Sequence, residues 1–311
     1  MYSLAPNLRK NIKQLLKELS LEFERDNLEE QIGNRIPFYR LLAVRNGQSV
    51  FLKTPLTRNL SNSREFINEI NFHLALTRNF NHPLNRYVPE IIAYSLTPSF
   101  PYLLRISAKG NHRKSEDVFS EAEILEISRA LKSIRTSPTG IFSFTPKLKL
   151  FSAARLSKKI QGSEILVGNR LKVRLDAFAA RVKKDFSRFK PALSHGDFSE
   201  ANTIFEPGGG VKIIDWSKVN LRNPLYDHAE FWIKRRRRTV EQEALLKEAR
   251  TDFSSNDFEF LFFAALTEIV LRDLKLFSNM IKGYRFKKRF GRQSRVETER
   301  QEYLSILNDF I

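Results

Sequence analysis

Asn46-Gly47, set between two apolar runs, is the feature that most limits what this chain can become. Both central residues of a two-residue hairpin turn must take positive φ, which Asn and Gly tolerate. The flanking runs, Phe38 to Val44 and Ser49 to Lys53, therefore read as paired antiparallel strands. A helix is predicted next, from about Ser63 to Thr77, with Ile67, Ile70 and Leu74 on one face. Val88 to Tyr94 and Tyr102 to Ile106 read as further short strands. Hairpin, helix and strands in that order make a small α+β lobe of about 100 residues.

The pattern then changes. Ser120 followed by Glu123 is a capping box, and it opens a helix whose Ile124, Ile127, Leu131 and Ile134 form one stripe. Helical periodicity recurs from Leu171 to Phe189, from Asp227 to Ile233, from Val240 to Arg250 and around Phe260. One β-like island interrupts it, Asn202 to Trp216, turned by Gly208-Gly209-Gly210. The expected division is a sheet-rich lobe over residues 1–105 and a mainly helical lobe over 106–311. Ahead of the hairpin, residues from about 6 to 19 carry Leu8, Ile12, Leu15, Leu16 and Leu19 at helical spacing, with Lys and Arg elsewhere on the helix. Such a helix either packs on the first lobe or lies on an anionic membrane.

Composition narrows the chemistry. The 311 residues include no cysteine, which excludes disulfides, thiolate metal sites and cysteine nucleophiles and fits a reducing compartment. The N-terminus lacks the apolar core of a signal peptide, and Thr267 and Glu268 interrupt the greasiest stretch, Phe260 to Leu271. The expected setting is cytoplasmic, with room for peripheral membrane contact. Lys and Arg total 53 against 35 Asp and Glu, a formal net charge of +18. A field of that sign draws nucleic acid, anionic lipid or phosphorylated substrates and repels cationic ones.

The chemistry gathers in His195-Gly196-Asp197-Phe198-Ser199-Glu200-Ala201-Asn202 and in Ile213-Ile214-Asp215-Trp216 after the glycine turn. Phosphoryl transfer asks a protein mainly for positioning: a carboxylate to take the acceptor proton, and oxygen ligands to hold Mg²⁺ near the phosphates. Asp197, Asn202 five residues on, and Asp215 beyond a hairpin supply those groups. The spacing of His195, Asp197 and Asn202 is that of the H-x-D-x-x-x-x-N loop of kinases. Gly208-Gly209-Gly210 is read as a turn, because no G-x-x-x-x-G-K-[ST] pattern surrounds it. The remaining histidines, His73, His82, His112 and His228, show no metal-ligand spacing.

HGDFSEAN followed by IIDW closely resembles the catalytic loop and metal strand of the aminoglycoside phosphotransferase and choline kinase-like superfamily. The similarity extends from about Gly33 to Phe231. Asn223-Pro224-Leu225-Tyr226-Asp227-His228-Ala229 is similar to the segment whose Asp braces the catalytic loop, and Leu103 to Gly110 to the hinge that meets adenine. The resemblance implies an α+β, bilobal protein-kinase-like fold with an antiparallel-sheet first lobe. It implies ATP and Mg²⁺ as cofactors, Asp197 as catalytic base, and Asn202 and Asp215 as metal ligands. It further implies that Lys53 holds the α- and β-phosphates and is itself held by Glu69, with Glu65 one turn earlier as the other candidate. His195 then has a structural role. Three positions depart from the pattern: Gly33-Asn34-Arg35 carries one Gly in the phosphate-covering loop, Ser217 stands where relatives carry an acid, and Arg105 stands where they are apolar. Arg105 either crowds the adenine pocket or shifts nucleotide preference.

Positive charge clusters in Lys234-Arg235-Arg236-Arg237-Arg238, in Lys147 to Lys159 and in Lys282 to Arg295, each read by itself as a solvated basic face. Two functions follow as expectations. The first is a phosphotransferase acting on a hydroxyl of a neutral or anionic small molecule, such as a sugar, sugar-phosphate or lipid headgroup, rather than an aminoglycoside. The second is a catalytically silent kinase-like module that binds nucleic acid or anionic membrane through its basic second lobe. The intact set Lys53, Glu69, Asp197, Asn202 and Asp215 favours the first.

Overall fold

A computed structural model describes residues 6–22, 38–55, 60–97, 101–113, 117–142, 153–236, 238–286 and 290–310. Gly33-Asn34-Arg35, residues 147–152 and Arg237 lie outside the described residues, as do the side chains of residues 6–9 and 282–293. Packing divides the chain into two units: Met1–Ser133 with Ser137–Leu148 and Glu200–Val219, and Ile134–Thr136 with Lys149–Ser199 and Asn220–Ile311.

The first unit begins with α1 (Pro6–Glu18), followed by the hairpin β1 (Phe38–Arg45) and β2 (Gln48–Pro55). Asn46 and Gly47 take φ of 50° and 75°, so the turn has the mirror-image geometry that matches strand twist. The turn sets the register, Arg45 opposite Gln48 and onward to Arg40 opposite Lys53. After α2 (Leu60–Thr77) come β3 (Ile91–Ser95) and β4 (Tyr102–Ile106), completing a four-stranded sheet in the order β1-β2-β4-β3. One face of it carries Leu41, Ala43, Val50, Leu52 and Leu104, which pack with Ile12, Leu15, Leu16 and Leu19 from α1 and its C-terminal turn. That apolar stripe is therefore buried on the sheet rather than presented to a membrane. The other face meets α2 through Leu103, Phe66 and Ile70.

The strand expected from Val88 begins only at Ile91. Val88 donates its N–H to Leu84 O, closing the turn before it, and Pro89 has no N–H to give a ladder. The capping box at Ser120 is present in both directions. Glu123 N donates to Ser120 Oγ at 3.3 Å and Ser120 N to Glu123 Oε2 at 2.8 Å, opening α3 (Glu121–Thr136).

A smaller sheet in the same unit joins β5 (Asn111–His112), β7 (Thr203–Phe205) and β8 (Val211–Ile213). Its turn is the glycine run: Glu206 N donates to Gly210 O at 2.8 Å, and Gly209 takes φ of 81°. Ile213 N donates to Tyr87 O at 2.7 Å, which ties this hairpin to the loop before β3. Gly110 is required here, because a Cβ on it would lie 2.0 Å from the carbonyl oxygen of Phe205.

The second unit is mainly helical. It contains α4 (Ala153–Gln161), α5 (Glu164–Val167), α6 (Asn169–Asp185), α7 (Tyr226–Lys234), α8 (Thr239–Thr251), α9 (Ser255–Phe286) and α10 (Phe290–Phe310). A two-stranded ladder of β6 (Ala192–Ser194) and β9 (Asn220–Arg222) accompanies them. Its core is one cluster built around α9, with Leu156, Leu175, Ala229, Leu261 and Leu266 among its fully buried members. α4 and α10 each begin in one of the stretches read as basic faces. Both helices bury sparse apolar positions within or just beyond those stretches: Leu156 and Ile160 in α4, and Val296, Tyr303 and Leu307 in α10. No helix among the described residues is long and apolar enough to cross a membrane.

Gly110→Ala is expected to destabilise the first unit by about 1–3 kcal/mol, the usual cost of forcing extra volume into a packed site. Urea unfolding would measure it, and an unchanged midpoint would show that the close approach to Phe205 is not needed.

Candidate active site

The segment Ser194 to Ser199 lies in the second unit, and a single carboxylate shapes it. Asp227, in the first turn of α7, accepts from Ser194 Oγ at 2.9 Å, His195 N at 2.7 Å and Gly196 N at 3.0 Å. Burial pushes the Asp227 carboxyl up, and the hydrogen bonds from Gly196 and His195 oppose that push. Gly196 takes φ of 78°, a left-handed turn that glycine adopts without strain. His195 is fully buried, and its Nδ1 accepts from Asp197 N at 3.3 Å. That nitrogen is occupied in holding the turn. Asn223 fixes the helix behind it, accepting from Leu225 N at 2.9 Å and donating to Leu261 O at 2.7 Å. Asp197 is left a third exposed, with Lys234 Nζ 3.3 Å from its Oδ1.

The first unit holds a second cluster. Lys53 on β2 donates to Glu69 Oε2 at 2.6 Å and to Asp215 Oδ1 at 2.8 Å. Lys53 and Glu69 are almost fully buried, and Asp215 is about a quarter exposed. Arg40, opposite Lys53 on β1, donates to Asp215 Oδ2 at 3.1 Å. Burial alone would raise the Asp215 carboxyl, but the charge and hydrogen bond of Lys53, then Arg40, hold it far below the usual carboxylate range. Beside them His73 is pushed down to about 3, by burial first and then by Arg105 and Lys53. It is neutral at physiological pH.

Backbone pairing brings Asn202 and Asp215 together. Asn202 ends a 3₁₀ turn directly before β7, and its C=O accepts from Ile214 N at 2.9 Å across the hairpin. Asp215 follows with φ of 62°, a left-handed conformation that costs a non-glycine residue and turns its carboxylate toward Lys53. Trp216 then stacks on Phe72 of α2, centroids 4.2 Å apart, and Phe142 also stacks on Phe72, at 5.3 Å. Phe72 lies one turn beyond Glu69, so the stack secures both the helix carrying Glu69 and the strand end carrying Asp215.

A carboxylate held ionised and a side-chain amide oxygen, at one end of a short hairpin, are hard oxygen donors of the kind Mg²⁺ takes. Two protein ligands, with phosphates and water completing the shell, suit that ion, so these residues fit it. Among the described residues no three acidic, histidine or cysteine side chains gather into an all-protein metal cage.

Arg105 lies on β4 opposite Phe51, on the Lys53 face of the sheet. Its guanidinium is buried over the Phe51 ring, 4.6 Å from the centroid, and burial lowers it to about 10 against the pull of Glu69 and Asp215. The expected basic face at Lys234 to Arg238 is different from its reading as solvated charge. Arg235 is buried on Glu241 at 2.8 Å and Arg236 donates to Glu302 at 2.8 Å, so these two cations serve internal pairs. In the Lys147 to Lys159 stretch, Lys159 pairs with the buried Glu268 at 2.7 Å.

Two residues at these clusters escaped the sequence reading. Counting outward from Asn46-Gly47 places Arg40 opposite Lys53, so its position was encoded in the turn. Lys234 stands seven residues, two helical turns, after Asp227 and shares its face, but nothing separates it in sequence from the arginines that follow.

Asp215 supplies a pH test with a definite sign. Its folded pKa is depressed, so its pairing stabilises the protein above the unfolded value of about 4 and loses that effect as pH falls toward the folded value. The stability gap between wild type and Asp215→Asn is expected to stay level from pH 8 to 5 and to shrink below about pH 4. Urea unfolding across that range measures it; a gap that stays constant to pH 3 would mean that the ion pair with Lys53 contributes nothing.

The model of the phosphotransferase enzyme family matches residues 39–261, most of the chain and every residue of both clusters. No curated protein matches the chain in sequence. Solved structures match its fold. The GDP complex of wild-type aminoglycoside 2'-phosphotransferase-IIIa is 14% identical, covers 97% of this chain and 98% of that one, and has a TM-score of 0.60. The choline kinase LicA from Streptococcus pneumoniae is 15% identical over 96% and 99%, with a TM-score of 0.57. A putative aminoglycoside phosphotransferase from Ralstonia eutropha JMP134 is 14% identical over 90% and 96%, with a TM-score of 0.56. With its protein-kinase-like fold and its family match, the chain belongs to the phosphotransferase enzyme family.

Proposed function

We propose that this protein uses ATP and Mg²⁺ to phosphorylate a hydroxyl of a neutral or anionic small molecule: a sugar, a sugar-phosphate or a lipid headgroup. The observation that carries the reading is Lys53 held between Glu69 and Asp215, with Asn202 fixed beside Asp215 by a backbone hydrogen bond. A buried ammonium locked by one carboxylate and aimed at a second, partly exposed one is suited to receive phosphate oxygens. In this reading residues 1–105 form the nucleotide-binding lobe, and residues 106–311 carry the catalytic loop, the metal strand and the acceptor site.

Asp197 is the catalytic base. Its carboxylate takes the proton of the acceptor hydroxyl as that oxygen bonds the γ-phosphorus, while the bond to the β,γ-bridging oxygen breaks and ADP leaves. Asp227 and His195 keep the base in place through the backbone on either side of Gly196. Lys53 holds the α- and β-phosphates, and Glu69 fixes the rotamer of Lys53. Asn202 and Asp215 hold the metal, which when bound neutralises charge on the transferring phosphoryl group.

The net charge of +18 supports an acceptor that is not a polycation. The internal pairing of Arg235 and Arg236 weighs against a silent module built on that basic run, since those cations are committed within the protein.

The test is transfer of labelled γ-phosphate from Mg-ATP into an extract of the source cells, separated into soluble, lipid and polymer fractions. Label is expected to depend on Asp197, with Asp197→Asn losing roughly 10²–10⁴-fold in rate while still binding nucleotide. Kanamycin is expected not to be phosphorylated saturably. Equal transfer by Asp197→Asn, or no transfer by a protein that binds Mg-ATP, would overturn the proposal.

A further inference from the structure

The second unit places a cation on the carboxylate proposed as the base. Lys234, the last residue of α7, donates from Nζ to Asp197 Oδ1 at 3.3 Å and to Phe198 O at 3.5 Å. Its third oxygen neighbour is Glu230 Oε1, one turn back at 3.6 Å. Glu230 is fully buried, and the same oxygen accepts from Arg272 Nη1 at 3.0 Å. Lys234 is therefore held from below by Glu230, while about a quarter of its side chain and a third of that of Asp197 stay open to solvent.

A base gains no proton affinity from an ammonium at hydrogen-bond range. Opposite charge favours the ionised carboxylate and makes proton capture harder. The placement needs another purpose, and the acceptor provides one. Beside a bare Asp197, an acceptor with a negative group next to its hydroxyl would be repelled and a cationic one attracted. Lys234 reverses both preferences at the point where the hydroxyl must dock.

We propose that Lys234 is a specificity-determining residue, which binds an anionic oxygen group carried by the acceptor close to the hydroxyl that is phosphorylated. The inference rests on Asp197 being the base. On acceptor binding Nζ leaves or shares Asp197 Oδ1, turns to the anionic group, and frees the carboxylate for the hydroxyl proton. The buried Glu230 keeps the ammonium in reach during that exchange. Acceptors bearing ammonium groups, as aminoglycosides and choline do, are disfavoured at the same point.

The experiment starts with the label transferred from Mg-ATP into cell extract by the full chain, resolved by anion exchange at pH 8 against a sugar monophosphate and a sugar bisphosphate. Asp197-dependent product is expected to elute later than the monophosphate, because the acceptor brings negative charge of its own. Elution with or before the monophosphate, with Asp197→Asn still abolishing label, would overturn the role of Lys234 and leave the phosphotransferase reading standing. Absence of any Asp197-dependent label would overturn both. The labelled fraction then serves as acceptor for variants. Lys234→Gln is expected to raise its KM at least tenfold and Lys234→Glu further, with the KM for ATP unchanged, and Lys234→Arg is expected to recover most of the loss. A fall in kcat and thermal midpoint together, with acceptor KM unaltered, would mean that Lys234 only braces the turn and would sink the proposal.

Discussion

One ammonium group organises the first unit. Lys53 is buried between Glu69 and Asp215, and a charge withdrawn from water to that degree is tolerable only while its partners are in place. Those partners come from distant parts of the chain: β2 carries the lysine, α2 the glutamate, and the end of the β7–β8 hairpin the aspartate. The antiparallel sheet sets the lysine's height, the face of α2 packed on Leu103 sets the glutamate's, and the hydrogen bond from Ile214 to Asn202 sets the aspartate's. Removing Lys53 takes the ammonium partner from the buried Glu69, typically a loss of about 3–5 kcal/mol. Geometry at this cluster is thus enforced by desolvation as much as by attraction.

The second unit solves a related problem with neutral donors. A sharp turn that exposes a carboxylate leaves backbone N–H groups with no ladder to join. Asp227 receives two of them and the Ser194 hydroxyl, so a buried negative charge does there what a strand partner does elsewhere. The buried His195 ring adds to this by accepting from Asp197 N, so the backbone is held on both sides of Gly196.

Local rules made much of this legible. Asn46-Gly47 fixed not only the hairpin but the register that sets Arg40 beside Lys53, and the Ser120–Glu123 box marked a helix start correctly. The loop from His195 to Asn202 and the strand ending at Asp215 stood out because spacing and residue type coincide. What escaped was whatever depends on partners far away in the chain. α10 buries Val296, Tyr303 and Leu307, too sparse a set to register against its charges. Arg235 reads as one of a basic run until Glu241 is seen to enclose it. The start of β3 was misplaced because the competing turn at Leu84 spends the N–H of Val88 first. The stack of Trp216, Phe72 and Phe142 joins three segments with no shared periodicity.

That stack has a bearing on control. Phe72 stacks with both Trp216 and Phe142, so α2 cannot swing aside and carry Glu69 away from Lys53 without separating two aromatic contacts and parting a buried ion pair. An enzyme switched by withdrawal of this helix would need a looser joint. Here the ion pair stands assembled, and the two aromatic contacts of Phe72 oppose any withdrawal of the helix that carries Glu69.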